Sequence, residues 1–449
     1  MGKLFGTDGI RGIANENLTC ALAYRVGQSA AICLEKSKQG VPTVVIGKDT
    51  RISSDMLENA LIAGLCACGC HVVRLGVIST PAVAFLTVNF HADAGIVISA
   101  SHNPFEYNGI KMFSSEGFKL NDALEEEIEE LILSDQELPV KTGEKLGKVL
   151  DNYHASELYI RHLASTVTDI HGLRVLVDCA NGAASATAQR LLNRFDIDVT
   201  VMNDNPDGIN INNRCGSTHL EMLSERVKNG YYDLGIAFDG DADRCLVVDE
   251  YGNEVDGDKI MAICARYMRK EGKLAKDGFV ATVMSNIGLH KYCKENDLNL
   301  LCASVGDRNV LELMQKEGMV LGGEQSGHII FLEHLTTGDG QLAALQFLQI
   351  LCKTGEPVSK LAGEIAKYPQ VLINVAGPHD NAAKKALMES LPVKAAEQAG
   401  IRMLNGDGRI LLRASGTEAL IRVMVEASDE KLARSVAQTV AQAVENAQK

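Results

Sequence analysis

The stretch GIVISASHNP, residues 95–104, contains the pattern that decides the fold. Its first four residues are apolar and predict a buried strand, and Ser101 lies in the polar turn that follows. Short apolar runs that end at polar or Gly-containing turns recur along the chain and alternate with segments typical of helices. These runs are residues 44–46, 72–75, 174–178, 234–238, 279–283, 300–305 and 320–321. The alternation predicts parallel sheets in an α/β design.

The C-terminal part of the chain departs from this pattern. Its residues predict a strand, a helix, two strands joined by a turn with the second strand interrupted, and a closing helix. The corresponding residues are 371–375 for the first strand, 380–399 for the helix, 405–408 for the turn, 413–417 for the interruption and 428–447 for the closing helix. That order predicts a small α+β domain. We therefore predict four domains, at residues 1–150, 151–254, 255–368 and 369–449.

Composition argues against several classes of protein. The 449 residues carry a net charge of −14 with no basic run, so a nucleic acid is not an expected partner. The sequence contains no apolar stretch of about 18 residues, so no membrane span is predicted. The N-terminus shows no apolar signal segment. The 12 cysteines therefore predict free thiols in a reducing cytoplasm. Cys66, Cys68 and Cys70 lie in an apolar run, which favours buried thiols over a metal site.

Residues 238–244, FDGDADR, place three carboxylates in one short loop between two apolar runs. Asp239, Asp241 and Asp243 can converge on one hard cation, and oxygen ligands of this kind suit Mg²⁺. An EF-hand loop is rejected because Arg244 stands where glycine is needed and the next residues predict a strand. Two other interpretations stay open: a solvated acidic turn, and a phosphohydrolase that uses Asp239 as its nucleophile.

Ser101 is a candidate nucleophile that depends on its neighbours. A serine hydroxyl needs a base or an electrophile, and the Gly-x-Ser-x-Gly elbow is absent because Ser99 and Asn103 occupy its glycine positions. His102 could bond to Ser101 or point away, and Lys111 could neutralise a phosphate. A cation at the three aspartates could polarise a phosphoryl group on this serine. The local residues support a structural turn and a functional serine equally.

A turn near the C-terminus has the composition of an anion site. Arg413, Ser415, Gly416 and Thr417 combine a guanidinium, two hydroxyls and a glycine, and Arg422 could add a second guanidinium. Backbone N–H groups and arginine together suit a phosphate. An ordinary hairpin turn is the alternative interpretation.

Two further polar loops are weak signals by themselves. In residues 322–328, Glu324 and Ser326 could hydrogen-bond sugar hydroxyls or an amine. In residues 6–12, Arg11 could meet an anion. Structural loops have the same composition, so neither loop identifies a function alone.

Taken together and in this order, the loops resemble those of the α-D-phosphohexomutase family over essentially the whole chain. Residues 99–104 resemble its phosphoserine loop, 239–244 its metal loop, 323–328 its sugar-binding loop and 413–417 its phosphate-binding loop. The resemblance implies four domains around a central cleft. Three of them would be similar α/β domains with mixed or parallel sheets, and the fourth a C-terminal α+β domain.

Within the family, residues 5–12, residues 305–308 and Gln325 resemble the members that interconvert glucosamine 6-phosphate and glucosamine 1-phosphate. The resemblance implies an isomerase that works through a phosphoserine and a sugar 1,6-bisphosphate, on the route to UDP-N-acetylglucosamine and the cell wall. A glucose or mannose phosphate mutase of the same family is the alternative. The chain departs from the family at Ser99, where threonine is common, and at Ala419, where proline is usual and would stiffen the loop.

The resemblance also implies a role for each candidate residue. The residues expected to act in catalysis are Ser101, Arg11 and Lys111, and those expected to hold one Mg²⁺ per chain are Ser101, Asp239, Asp241 and Asp243. The sugar is expected to bind to Arg244, Asp307, Glu324, Ser326 and His328. The phosphate that is not reacting is expected to bind to Arg413, Ser415, Gly416, Thr417 and Arg422. The resemblance leaves the general base undetermined. A hexosamine phosphate is the expected partner, and a homodimer is compatible with the sequence.

Overall fold

The computed structural model describes residues 4–6, 8–37, 40–415 and 419–448. They form four sheets flanked by helices, and they group into two compact units. The first unit holds three sheets and contains the described residues up to Met284 together with Asp297–Gly363. The second unit contains Ser285–Asn296 and the described residues from Glu364 onward. Within these ranges no helix combines the length and the apolar character that crossing a membrane requires.

The first sheet has six strands. They are β1 Ile10–Ile13, β2 Thr43–Lys48, β3 His71–Val77, β4 Ala94–Ile98, β5 Tyr107–Ser114 and β6 Val149–Asp151, with helices α1 Cys20–Ser37, α2 Ile52–Ala67, α3 Thr80–Asn89 and α4 Asp122–Leu133. The order is β1-β5-β4-β2-β3-β6, with β5 antiparallel to β4 and β1 and the other pairs parallel. α1 and α2 pack closely because Gly64 has no Cβ, which would lie 2.1 Å from the carbonyl oxygen of Tyr24.

The second sheet has five strands in the order β11-β10-β9-β7-β8. They are β7 His171–Asp178, β8 Asp196–Met202, β9 Leu234–Phe238, β10 Cys245–Asp249 and β11 Glu254–Val255, with helices α5 Ser156–Ser165, α6 Ala188–Leu192 and α7 Glu221–Asn229. β8, β7 and β9 are parallel, and β9, β10 and β11 are antiparallel. Every residue of β9 and β10 is buried, and apart from Asp249 at the end of β10 both strands are apolar.

The third sheet has four strands in the order β13-β12-β14-β15. They are β12 Gly278–Thr282, β13 Asn299–Ala303, β14 Leu321–Gly323 and β15 Ile329–Phe331, with helices α8 Gly257–Lys270, α10 Asp307–Glu317, α11 Gly340–Thr354 and α12 Val358–Gly363. Here β14 and β15 form the antiparallel pair and the other pairs are parallel. All three sheets thus combine parallel strands with antiparallel ones, and the prediction of three similar α/β domains is confirmed.

The second unit contains an antiparallel sheet of three strands in the order β16-β18-β17. Its elements are helix α9 Ile287–Glu295, strand β16 Gln370–Ala376, helices α13 Asn381–Met388 and α14 Leu391–Leu404, strands β17 Gly408–Ala414 and β18 Leu420–Ala427, and helix α15 Glu430–Asn446. The buried residues of α15 recur at helical spacing and form one face, which packs into the core with Val423 and Val425 of the sheet. The predicted α+β arrangement is confirmed.

Two details of that prediction are wrong. The helix predicted over 380–399 is two helices, and the strand expected before the 405–408 turn is the end of α14. Pro392 lies in the first turn of α14, where its missing N–H costs nothing, and Ser390 precedes the helix as its N-cap residue. Asn405 ends α14 in the left-handed conformation at φ 46°. The Asn-Gly pair is therefore a helix terminus rather than a hairpin turn.

Candidate active site

Ser101 lies in the loop that follows β4, and its side chain faces a carboxylate. Its hydroxyl donates a hydrogen bond to Oδ2 of Asp239 at 2.6 Å, and its backbone N–H donates to Oγ of Ser99 at 3.0 Å. The serine is buried, and its backbone is left-handed at φ 52°. This conformation costs a non-glycine residue about 1–3 kcal/mol, and it persists because the surrounding structure holds the residue in it. The loop is therefore built to present Oγ to Asp239.

The three aspartates after β9 form a buried acidic cluster. One carboxylate oxygen from each of Asp239, Asp241 and Asp243 lies within 4.8 Å of the others. Oδ1 of Asp241 and Oδ1 of Asp243 accept no hydrogen bond from any residue that the structure describes. Buried oxygens without donors, arranged at this spacing, fit a hard cation such as Mg²⁺. The three aspartates predicted as metal ligands therefore lie close enough together to bind one cation.

The carboxylates of the cluster have different proton affinities. Burial, together with the charges of Asp243 and Asp241, raises the pKa of Asp239 well above its ordinary value. Burial also works to raise the pKa of Asp243, but His328 and Lys111 lower it well below that value. A bound cation would relieve the repulsion among the three neighbouring carboxylates.

Lys111 is a buried cation beside this cluster. Its Nζ lies 2.7 Å from Oδ2 of Asp241 and 2.9 Å from Oδ2 of Asp8. Burial by itself lowers the pKa of Lys111, but the two carboxylates outweigh it and the net shift is upward. Lys111 is therefore charged, and it can stabilise negative charge rather than accept a proton.

Asp8 connects the cations on one side of the site. It pairs with Arg11 and Lys111, and its Oδ1 lies 2.5 Å from Nζ of Lys119. Burial raises the pKa of Asp8, but these cations hold it well below its ordinary value. Lys119 also lies 2.5 Å from Oδ2 of Asp307, so the ion pairs form one continuous chain through the first unit. The chain fixes Arg11, Lys111 and Asp307 in place.

Arg244 and His328 come together because their backbones form a β-bridge. Nδ1 of His328 lies 3.5 Å from Oδ2 of Asp243, and its Nε2 accepts a hydrogen bond from the N–H of Gly338 at 3.2 Å. Nδ1 therefore presents a proton to Asp243. Nε of Arg244 lies 3.8 Å from Oδ1 of Asp243 and 3.9 Å from Oδ2 of Asp239.

A cavity of about 400 Å³ opens beside Ser101. Its lining residues are Leu4, Gly6, Asp8, Gly9, Arg11, Ser101, His102, Asp243, Arg244, Val305, Gly306, Asp307, Glu324 and His328. Glu324 is held there because its Oε1 accepts the N–H of Gly306 at 3.0 Å. Ser326, predicted as a sugar-binding residue, is exposed and does not line this cavity. The cavity brings six predicted residues and the serine to one space large enough for a sugar phosphate.

His102 lines the same cavity and lies close to the serine. Its Nδ1 is 3.4 Å from Oγ of Ser101. Burial lowers the pKa of His102 to about 4, with help from the positive charges of Arg244 and Arg11. The imidazole is therefore neutral near pH 7.

The predicted phosphate-binding residues belong to the second unit. Arg413 and Arg422 are direct cross-strand partners in β17 and β18. Burial and the charge of Arg422 lower the pKa of Arg413, and its Nε has no hydrogen-bond partner among the described residues. The carbonyl oxygen of Ser415 accepts a hydrogen bond from Nζ of Lys384 at 2.7 Å. Two adjacent guanidinium groups favour an anion between them. Predicted residues Gly416 and Thr417 lie outside the described residues.

Several residues that build the site carried no prediction. Asp8 and Lys119 form the ion-pair chain, and Thr80 donates a hydrogen bond to Oδ2 of Asp241 at 2.6 Å. Arg51 and Asp49 form a fully buried ion pair behind the Ser101 loop. One signal was present in the sequence, because Asp49 and Arg51 lie in the polar segment shortly after the strand predicted at 44–46, and parallel sheets bind ligands at the carboxyl ends of their strands.

Four sequence models of one family match the chain in order. They are the α/β/α domains I, II and III and the C-terminal domain of phosphoglucomutase/phosphomannomutase, at residues 2–139, 157–252, 256–368 and 372–443 respectively. The phosphoglucosamine mutase of Clostridium acetobutylicum is 49% identical over 447 residues, which are 99% of this chain and 99% of the relative.

Solved structures show the same fold. A phosphoglucomutase/phosphomannomutase family protein from Burkholderia thailandensis superposes with a TM-score of 0.81 at 22% identity, covering 100% of this chain and 98% of the other. The N-acetylphosphoglucosamine mutase of Aspergillus fumigatus, in complex with GlcNAc-6P and magnesium, gives a TM-score of 0.72 at 19% identity, covering 99% and 96%. This chain belongs to the phosphoglucomutase/phosphomannomutase family, the α-D-phosphohexomutases.

Proposed function

We propose that this chain interconverts glucosamine 6-phosphate and glucosamine 1-phosphate through a phosphorylated Ser101 and a sugar 1,6-bisphosphate. The observation that carries the proposal is the hydrogen bond of 2.6 Å between Oγ of Ser101 and Asp239, inside a cluster of three buried aspartates. A full-length bacterial relative at 49% identity is a phosphoglucosamine mutase, which supports the substrate. The enzyme is accordingly an isomerase that transfers a phosphoryl group within its substrate.

The transfer itself needs a phosphoserine, two acceptor hydroxyls and a proton acceptor. A sugar hydroxyl oxygen bonds to phosphorus, the bond from phosphorus to Oγ of Ser101 breaks, and the hydroxyl proton leaves to a base. The bisphosphate then turns in the cavity. Oγ of Ser101 takes the phosphoryl group from the other end of the sugar, and the released sugar oxygen regains a proton.

Charged residues on the cavity wall support each step. Lys111 is held as a cation by Asp241 and Asp8, so it stabilises the negative charge that develops beside the reacting oxygen. Arg11 lines the same cavity and is fixed by its ion pair with Asp8. These positions support the catalytic role that the resemblance implies for both residues.

A metal ion completes this arrangement. Asp239, Asp241 and Asp243, together with a phosphate oxygen on Ser101, would hold one Mg²⁺ per chain. When bound, it would supply positive charge that polarises the phosphoryl group. The buried carboxylate oxygens without donors are the feature of this chain that supports it.

We assign two sets of substrate-binding residues, one within each unit. In the first, we assign the sugar to Arg244, Asp307, Glu324, Ser326 and His328. In the second, we assign the phosphate that is not reacting to Arg413, Ser415, Gly416, Thr417 and Arg422. Arg413 and Arg422 support this assignment, because each guanidinium can donate two parallel hydrogen bonds to phosphate. The cytoplasmic location stays a prediction.

The proposal is tested by ³¹P NMR of the purified protein with Mg²⁺, a trace of glucose 1,6-bisphosphate and glucosamine 6-phosphate. A parallel sample contains glucose 6-phosphate, and a third lacks protein. We expect a 1-phosphate resonance that appears faster with glucosamine than with glucose.

Other outcomes overturn parts of the proposal. Faster conversion of glucose 6-phosphate, or of mannose 6-phosphate in a fourth sample, would keep the family reaction and replace the substrate. Inorganic phosphate as the one product would indicate a hydrolase, with Asp239 as the candidate nucleophile. Hydroxylamine then separates the two, because it cleaves an aspartyl phosphate and leaves phosphoserine intact.

A further inference from the structure

Two side chains from distant parts of the chain hold the same two carbonyl groups of the Ser101 loop. Nη2 of Arg51 donates to the carbonyl oxygens of Ser101 and Asn103 at 2.9 and 2.8 Å. Nδ2 of Asn212 donates to the same two oxygens at 2.9 and 3.1 Å. Hydrogen bonds from two buried side chains therefore hold the loop in place.

Asn212 is itself firmly placed. It lies between β8 and β9, and its side chain is buried in the first unit. Its backbone N–H donates to the carbonyl oxygen of Ala180 at 2.9 Å, and its own backbone is left-handed at φ 58°. Asparagine is among the residues that tolerate this conformation best. The amide is therefore delivered to the Ser101 loop by a fixed segment of the second sheet's domain.

The amide of Asn212 also lies where the serine loop meets the metal loop. A Cβ on Gly240, between Asp239 and Asp241, would be 2.5 Å from the carbonyl oxygen of Ser101 and 2.8 Å from Nδ2 of Asn212. Three groups thus meet in a space that admits no extra atom. A shift of the Ser101 carbonyl would change the distance from Oγ to the aspartates.

We infer that Asn212 is a positioning residue for Ser101, an inference that rests on the proposed function. Its amide fixes the left-handed backbone that directs Oγ of Ser101 to Asp239. It does not line the 400 Å³ cavity beside Ser101; instead it lines a second cavity of about 450 Å³, which shares His102 with the first. Its loss should therefore slow phosphoryl transfer without weakening substrate binding. Misplacing a reacting group by about 1 Å can cost on the order of 10²-fold in rate.

The test compares Asn212→Asp, Asn212→Ala and the control Asn213→Ala in the full chain. Asp has the size of Asn but cannot donate, so its carboxylate would face two carbonyl oxygens. Asn213 is adjacent and exposed, and it lines the same second cavity. We expect Asn212→Asp to lower kcat by about tenfold or more with KM within about twofold of wild type, Asn212→Ala to fall between, and Asn213→Ala to match wild type.

A second readout does not depend on turnover. Hydrogen exchange of the backbone amides in residues 99–104 should be faster in Asn212→Asp and Asn212→Ala than in wild type and Asn213→Ala. Wild-type kcat in Asn212→Asp, or a raised KM with unchanged kcat, would overturn the inference. Unchanged exchange in the loop would overturn it as well. An inactive wild type would count against the proposed function instead, and the exchange measurement would still decide the role of Asn212. Should Asn212→Asp not fold, Asn212→Ala carries both measurements.

Discussion

At Ser101 the side chain and the backbone have separate tasks. The hydroxyl supplies the oxygen, and the left-handed backbone directs it to Asp239. Ser101→Ala removes the hydroxyl and leaves the backbone contacts of the loop in place. We expect kcat to fall by about 10³-fold or more, because the phosphoryl carrier is lost. Asp239 loses a hydrogen-bond donor while it stays buried, which should cost about 1–3 kcal/mol of stability.

The measurement for Ser101→Ala is ³¹P NMR of mutase turnover, with Tm recorded for each protein. Ser115→Ala is the matched control, because Ser115 lies exposed in the turn after β5. Intact mass after incubation with glucose 1,6-bisphosphate should show a phosphorylated wild type and control but not Ser101→Ala. Full activity of Ser101→Ala would refute the phosphoserine mechanism.

Asp241 joins two functions, because it belongs to the acidic cluster and accepts from Lys111 and Thr80. Asp241→Asn removes one negative charge from the metal ligands. We expect the Mg²⁺ concentration for half-maximal activity to rise by about tenfold or more. Asp233→Asn is the control, since Asp233 pairs with Arg174 away from the cluster. An unchanged Mg²⁺ dependence of Asp241→Asn would count against the three-aspartate site.

The sequence shows some of these residues and conceals others for a physical reason. Asp239, Asp241 and Asp243 are two positions apart between two apolar runs, so the local sequence already suggests that they share one cation, although it leaves an acidic turn and an aspartyl nucleophile open. Lys111 meets Asp241 across 130 positions of sequence, and Asn212 meets Ser101 across 111. Such contacts depend on how domains pack, which local patterns do not encode.

Among the elements, helix α11 begins at a buried carboxylate. Oδ1 of Asp339 accepts the N–H of Leu342 at 3.0 Å, and Oδ2 accepts the hydroxyl of Tyr159 at 2.7 Å. Burial raises the pKa of Asp339 to about 6, from an ordinary value of 3.8, in spite of these hydrogen bonds. The native state therefore takes up a proton at this site at a higher pH than the unfolded chain does.

The sign of the resulting pH dependence follows from that shift. The stability from protonating Asp339 is fully present below pH about 4 and is lost as the pH rises through about 6. Asp339→Asn keeps a capping oxygen and removes this dependence. The stability of wild type relative to Asp339→Asn should therefore fall by about 2 kcal/mol from pH 4 to pH 7.

Thermal unfolding of both proteins across this pH range measures the difference. Asp429→Asn is the control, because Asp429 caps α15 in the same way but is exposed. A parallel pH dependence of wild type and Asp339→Asn would show that Asp339 titrates alike in the native and unfolded states.

The elements also show where periodicity is a sufficient guide. The runs at 234–238 and 44–46 predict β9 and part of β2, because buried parallel strands need unbroken apolar residues. The helix predicted over 380–399 ignores Pro392, which starts a new helix in the second unit. Composition alone does not distinguish an Asn-Gly that ends a helix from one that turns a hairpin, and α14 takes the first form.

At the scale of the whole molecule, Cys68 and Cys70 are buried and Cys66 is partly buried, in keeping with the prediction of buried thiols in an apolar run. The aspartate cluster is the one group of three or more potential metal ligands found among the described residues. The predicted boundaries after residues 150, 254 and 368 stay predictions. The grouping into two units does not follow the chain order, since Ser285–Asn296 joins the second unit.

Glu426 explains how α9 is held in that second unit. Its buried carboxylate accepts the N–H of Ile287 at 2.8 Å and the amide of Asn286 at 3.2 Å, and it pairs with Arg409 at 2.6 Å. Glu426→Gln keeps the size and replaces one acceptor oxygen with a donor. A buried charged group that loses a partner costs about 1–3 kcal/mol, so backbone amides in α9, β16 and β18 should exchange about 10- to 100-fold faster.

Hydrogen exchange of the full chain, followed by mass spectrometry, measures this change. Amides of β9, in the first unit, should keep their wild-type rates. Glu430→Gln is the control, because Glu430 is exposed and pairs with Arg434 on the surface of α15. If α9 kept its protection while β16 and β18 lost theirs, α9 would not share the stability of the second unit. Faster exchange in all three would show that a helix from the middle of the chain unfolds together with the C-terminal sheet.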